Sequence, residues 1–113
     1  MVLQAAVGLS LAAAFLSSCT KQPEGPGSPA ESPGARGKKV YMANCVACHN
    51  ANPALDGPIG PSLAGSTKEL LEKRILNASY PEGYKPKRAT KLMPATPHLK
   101  NDIEALEAFL NGR

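Results

Sequence analysis

Hydrophobic and polar positions divide the chain into three kinds of segment. From Ala5 to Leu16 the run AAVGLSLAAAFL is continuously small or apolar. From Thr20 to Gly37 no apolar period survives, and Pro, Gly, Ser and charged residues dominate. Helical periodicity then returns three times. Gly37, Tyr41, Cys45 and Cys48 are spaced four, four and three, which aligns them on one stripe and predicts a helix whose last turns carry Cys45 to His49. STKELLEKRILNAS predicts a second helix: Ser66 with Glu69 three residues later makes a capping box, and Leu71, Ile75 and Ala78 share a face. NDIEALEAFLNGR predicts a third, with Asn101 as cap over Glu104, Ile103, Leu106 and Leu110 as the apolar stripe beside Phe109, and Gly112 as the stop.

No strand pattern competes, so the expected class is all-α. Two irregular stretches separate the helices, residues 50–65 and about 79–100, both rich in Pro and Gly. Loops this long in a small domain call for a function, and wrapping a cofactor supplies one.

The first apolar run has the length of a secretory signal's apolar region and is short for a membrane span. Leu16-Ser17-Ser18-Cys19 follows. It resembles the bacterial lipoprotein cleavage box, which implies a signal over residues 1–18 and a lipid-bearing Cys19 at the mature N-terminus. MVLQ departs from that pattern in carrying no Lys or Arg. Residues 19–36 then read as a flexible tether, and residues 37–113 as the folded domain.

Composition sharpens the expectation of a cofactor. With no Trp, two Phe and three Tyr in 113 residues, the side chains alone supply little large apolar surface, and an added hydrophobic body would help fill the core. The formal charge of +4 is too mild and scattered for a nucleic-acid footprint.

The candidate chemistry lies in Cys45-Val46-Ala47-Cys48-His49. Cysteines at i and i+3 reach two neighbouring points of a flat ligand from one helix face. His49, about 100° further round, can aim its imidazole at the ligand's centre. This is the attachment pattern of c-type haem, with two thioethers and an axial nitrogen on iron. A structural zinc site wants about four ligands, and with Cys19 lipidated only the distant His98 would complete the set. A thioredoxin-type dithiol expects a preceding strand. A plain Cys45–Cys48 disulfide would leave His49 and both loops without a purpose.

Over about residues 37–113 the chain resembles the class I c-type cytochromes, in three further pieces. Gly37 and Tyr41 ahead of the cysteines match the family's helix crossing, and would meet Leu106, Phe109 and Leu110. Gly60-Pro61-Ser62-Leu63-Ala64-Gly65 is similar to the segment beneath the proximal histidine, which implies that the Pro61 carbonyl accepts from the His49 imidazole. Lys91-Leu92-Met93-Pro94 is similar to the sixth-ligand loop, which implies Met93 as the second iron ligand. Its competitors are Met42, three residues before Cys45, and His98. The loop from Tyr80 to Arg88 offers Tyr84 and Arg88 as donors to the haem propionates.

The resemblance implies one haem c, covalent through Cys45 and Cys48, in a small cytochrome c fold. The expected function is a membrane-tethered electron carrier rather than an enzyme, lipid-anchored in the bacterial cell envelope on the periplasmic or outer face. Expected partners are redox proteins such as an oxidase, a reductase or a quinol-oxidising complex, met through Lys85, Lys87, Arg88 and Lys91. The opposing reading is a haem-based sensor or small haem enzyme with an open sixth position.

Overall fold

The computed structural model describes residues 30–113. The expected signal, the Cys19 lipidation site and most of the expected tether lie outside the described residues. Among those described, no strand occurs, and the order is α1 (Pro33–Asn44), α2 (Lys68–Asn77), a 3₁₀ helix (Pro97–Asp102) and α3 (Ile103–Leu110). No helix among them is long and apolar enough to cross a membrane.

Each helix departs from the sequence expectation at an end, for a local reason. Helix α1 begins at Pro33, inside the segment read as tether, because the Ser32 side chain accepts a hydrogen bond from the Ala35 N–H and Pro33 sits in the first turn. It ends at Asn44, so the Cys45–His49 motif lies beyond the helix instead of on its last turns. One further turn survives, since the Cys48 and His49 N–H groups both donate to the Cys45 carbonyl. The cap of α2 is Thr67, which accepts from the Leu70 N–H, while the Ser66 hydroxyl donates to the Leu63 carbonyl. Ala78 is exposed and left-handed, with φ 51°, and closes α2 instead of joining its apolar face. Asn101 caps nothing; it lies within the 3₁₀ helix that leads into α3.

The core forms where α1 crosses α3. A methyl group on Gly37 would overlap the Ala105 carbonyl and crowd Phe109, so glycine is what lets the two backbones approach. That approach buries Tyr41 and Leu106 almost completely, each such burial contributing roughly 1.5–3 kcal/mol. The rings of Tyr41 and Phe109 pack tilted, with centroids 5.3 Å apart. Leu71, Ile75, Leu99, Ile103 and Leu110 complete the cluster. The Tyr41 hydroxyl donates to the Asn50 carbonyl at 2.6 Å, which ties this core to the start of the first loop.

Candidate functional site

The chain leaves the core at Cys45 and turns back on itself around His49. The Ile59 and Gly60 N–H groups donate to the Cys48 carbonyl at 3.2 and 2.8 Å, folding residues 57–61 under the histidine. A methyl on Gly60 would overlap the His49 imidazole, so this loop touches the ring with its backbone. His49 is 7% exposed, and its Nδ1 lies 2.8 Å from the Pro61 carbonyl oxygen. A carbonyl only accepts, so Nδ1 carries a proton, which leaves Nε2 as the ring nitrogen that could bind a metal.

The segment between Asn50 and Ile59, for which sequence offered no pattern, is built from side-chain-to-backbone turns. Asn50 Oδ1 accepts from the Asn52 N–H, and Asn52 Oδ1 from the Ala54 N–H. Asp56 Oδ1 accepts from the Ser62 N–H at 2.7 Å. That hydrogen bond, aided by the Arg88 charge, holds the Asp56 carboxyl below its usual range. A group with a depressed folded pKa adds stability above its unfolded value, and that stability is lost as pH falls through the folded value. Unfolding midpoints of Asp56→Asn and the unsubstituted protein should therefore differ at neutral pH and converge as pH drops below about 3.9.

Cys45, Cys48 and His49 line a cavity of about 720 Å³, within the ~300–1,000 Å³ typical of ligand and cofactor sites. Leu71, Ile75, Leu99 and Leu106 give it an apolar wall, and Met93 lines it from the last loop. Of the three competing axial donors, Met93 alone lines the cavity; Met42 is 43% exposed on α1, and His98 is exposed on the 3₁₀ helix. Pro61, Tyr84 and Arg88 line it as well.

Two of these residues also make protein contacts that the sequence does not announce. Tyr84 stacks on Tyr80 with centroids 5.3 Å apart, and the Arg74 guanidinium lies 4.3 Å above the Tyr80 ring. Sequence reasoning missed Arg74 and Tyr80, which lie on α2 and in the loop after it with no spacing signal to join them. Arg88 donates to the Ile59 carbonyl at 2.7 Å and the Gly57 carbonyl at 3.1 Å, and Lys87 donates to the Ser62 carbonyl at 2.8 Å. Both line the cavity and at the same time tie the second loop to the first.

The donor set fits a covalently attached haem better than its rivals. Among the described residues no group of three His, Cys, Asp or Glu side chains could hold a metal ion, which disfavours zinc. Burial pushes the Cys45 thiol up to about 11, where a redox dithiol needs an accessible thiolate. A flat apolar body against the cavity wall, thioether-linked to the cysteines, would use Cys45, Cys48 and His49 together.

The family model for cytochrome c matches residues 34–112. No curated protein and no solved structure matches the chain. The matched span runs from the first turn of α1 to the end of α3 and takes in both loops around the cavity. By that match the chain belongs to the cytochrome c family, whose members carry covalently bound haem c.

Proposed function

We propose that the protein is a monohaem electron carrier in which His49 Nε2 and Met93 Sδ are the two iron ligands. The observation that carries this reading is the placement of an oriented imidazole and a thioether on one largely apolar cavity beside Cys45 and Cys48. When bound, haem c supplies a one-electron couple. The polypeptide would offer it a largely apolar wall, and carries each ligand on a separate loop. The Pro61 carbonyl fixes the His49 ring and raises its donor strength. The Met93 thioether, a soft ligand, favours the reduced metal and raises the potential over that of a second histidine. Tyr84 lines the cavity, and its hydroxyl has no protein partner among the described residues, so it would be available as a donor to a propionate.

With both axial positions held by protein, electrons pass to and from docked proteins and no substrate binds the iron. The partners in this reading are an oxidase, a reductase or a quinol-oxidising complex in the bacterial envelope. Lipid on Cys19 would keep the domain at the membrane surface, since several acyl chains far exceed the marginal hold of one. Potentiometric titration tests the assignment: a reversible one-electron wave with no peroxide turnover supports the carrier, whereas peroxide-dependent oxidation of donors supports a haem enzyme.

Of the four basic residues in the second loop, Lys85 and Lys91 are the exposed pair without protein partners among the described residues. Reversing both charges, as Lys85→Glu with Lys91→Glu, should slow reduction by an acidic partner and flatten its salt dependence. An unchanged salt dependence removes them from docking.

A further inference from the structure

We propose that Lys87 and Arg88 form a clamp, acting as positioning residues that lock the loop carrying Met93 to the segment that seats His49. The proposal rests on the reading of His49 and Met93 as iron ligands. Arg88 donates to the carbonyls of Gly57 and Ile59, and Lys87 to the carbonyl of Ser62. Those acceptors bracket Gly60 and Pro61. Gly60 lies against the imidazole, and Pro61 holds its Nδ1. The two cationic residues thus grip the chain on both sides of the two residues that orient the proximal ring. They also lie only five and six residues before Met93 in the other loop.

Apart from the clamp, the second loop is anchored at its start by the Tyr80–Tyr84 stack beneath Arg74 and near its end by the packing of Met93 against the core cluster. Residues 80–95 contain no helix, and most of their side chains are exposed. Within them the internal backbone bond is Tyr84 N–H to the Pro81 carbonyl. Asp56 adds a contact to the same guanidinium, with Oδ2 3.7 Å from Arg88, while its other oxygen accepts from the Ser62 N–H. The acidic group therefore organises the acceptor loop and faces the clamp at once. A planar fork reaching two carbonyls is a task for arginine, because lysine offers a single point of donation.

Without the clamp, the chain that carries Met93 keeps the packing of that side chain and the Thr96 N–H bond to the Ile75 carbonyl, but lifts more readily than the segment that seats His49. The sulfur-off state then becomes more populated. Losing a hydrogen bond from a charged donor shifts such an equilibrium by about tenfold or more.

Ferrous holoprotein is mixed with carbon monoxide in a stopped-flow instrument, the ferric protein is scanned for its weak long-wavelength sulfur-to-iron band, and unfolding is followed in guanidinium. The variants are Arg88→Gln, Arg88→Lys, and Arg36→Gln as a control. Arg36 is paired with Asp102 at 2.6 Å, away from the cavity. The expected result is carbon monoxide binding about tenfold faster in Arg88→Gln, with a weaker ferric band. Arg88→Lys should be intermediate, and Arg36→Gln should match the parent on both even if its unfolding midpoint falls. If Arg88→Gln accumulates no holoprotein, Arg88→Lys alone decides. Parental carbon monoxide kinetics in the Arg88 variant that is measured, or an equal rise in Arg36→Gln, overturns the clamp while the ligand assignment stands. A parent that lacks the ferric band and binds carbon monoxide promptly overturns the ligand assignment, and the clamp with it.

Discussion

Met93→Ala is expected to open the sixth position: the weak long-wavelength band of the ferric protein disappears, and the ferrous protein binds carbon monoxide promptly where its parent does so only slowly. The expectation follows from what the site offers as a substitute. His98 sits exposed on the 3₁₀ helix and does not line the cavity, while Met42 is exposed on α1, before the attachment cysteines. Either would need a helix to move before it reached the iron. Met93 is also half-buried against the core cluster, so its truncation should cost stability near the lower end of the ~2–5 kcal/mol range for buried methionine. The second variant Met93→His separates packing from ligation. It should restore a six-coordinate spectrum at a lower potential, because an imidazole replaces the softer thioether. An open site in Met93→His, or a parental spectrum in Met93→Ala, would show that another group binds the iron.

Gly60→Ala should damage the other side of the same site. The added methyl would lie on the imidazole of His49, and that ring has nowhere easy to go. Its Nδ1 is held by Pro61, and the loop beneath it is held by two N–H groups donating to the Cys48 carbonyl. Either the ring turns and loses the Pro61 bond, or the loop lifts and loses its own. Overpacking costs typically 1–3 kcal/mol, and a broken hydrogen bond that leaves a buried partner unpaired costs roughly as much again. The variant should therefore lose about 2–4 kcal/mol in guanidinium unfolding and yield less holoprotein. Gly57 and Gly60 both lie close to the histidine, but Gly60 alone presses on the ring itself, whereas Gly57 meets the backbone of Cys48 and His49. A Gly60→Ala protein with parental yield and stability would mean that the loop is not seated as described.

Much of this was legible in the sequence, because the strongest constraints are short and local. The Cys45-x-x-Cys48-His49 spacing, the Gly60-Pro61 pair a dozen residues on, and Met93 ahead of the last helix each occupy a few adjacent positions. The stripes of α2 and α3 were visible for the same reason, as was the pairing of Gly37 and Tyr41 with the C-terminal helix. Helix ends were less legible. Ser32-Pro33 is a sound cap and first-turn pair, yet it lies in a run of Pro, Gly and Ser that reads as tether. Ser66 and Thr67 are adjacent hydroxyls, and sequence had no means to say which of them caps.

Lys87 and Arg88 show a different limit. A charge run in a loop ordinarily faces water, and what draws these two onto the first loop is a set of carbonyls some 25 to 31 residues away with no helical partner. Bare acceptors exist only once the first loop has folded around His49, so nothing in the local sequence announces them. The Arg74–Tyr80–Tyr84 stack is likewise a product of the left-handed turn at Ala78, which reverses the chain where apolar periodicity would have continued the helix.

The central claim is that both axial positions are filled by the protein, and optical absorption of the purified holoprotein tests it most directly. Spectra are taken oxidised, then reduced, then reduced with carbon monoxide. The expected result is a low-spin c-type spectrum, a weak long-wavelength ferric band and no prompt response to the gas. A high-spin spectrum that shifts promptly with carbon monoxide would contradict it, and the protein would then be a sensor or an enzyme in place of a carrier.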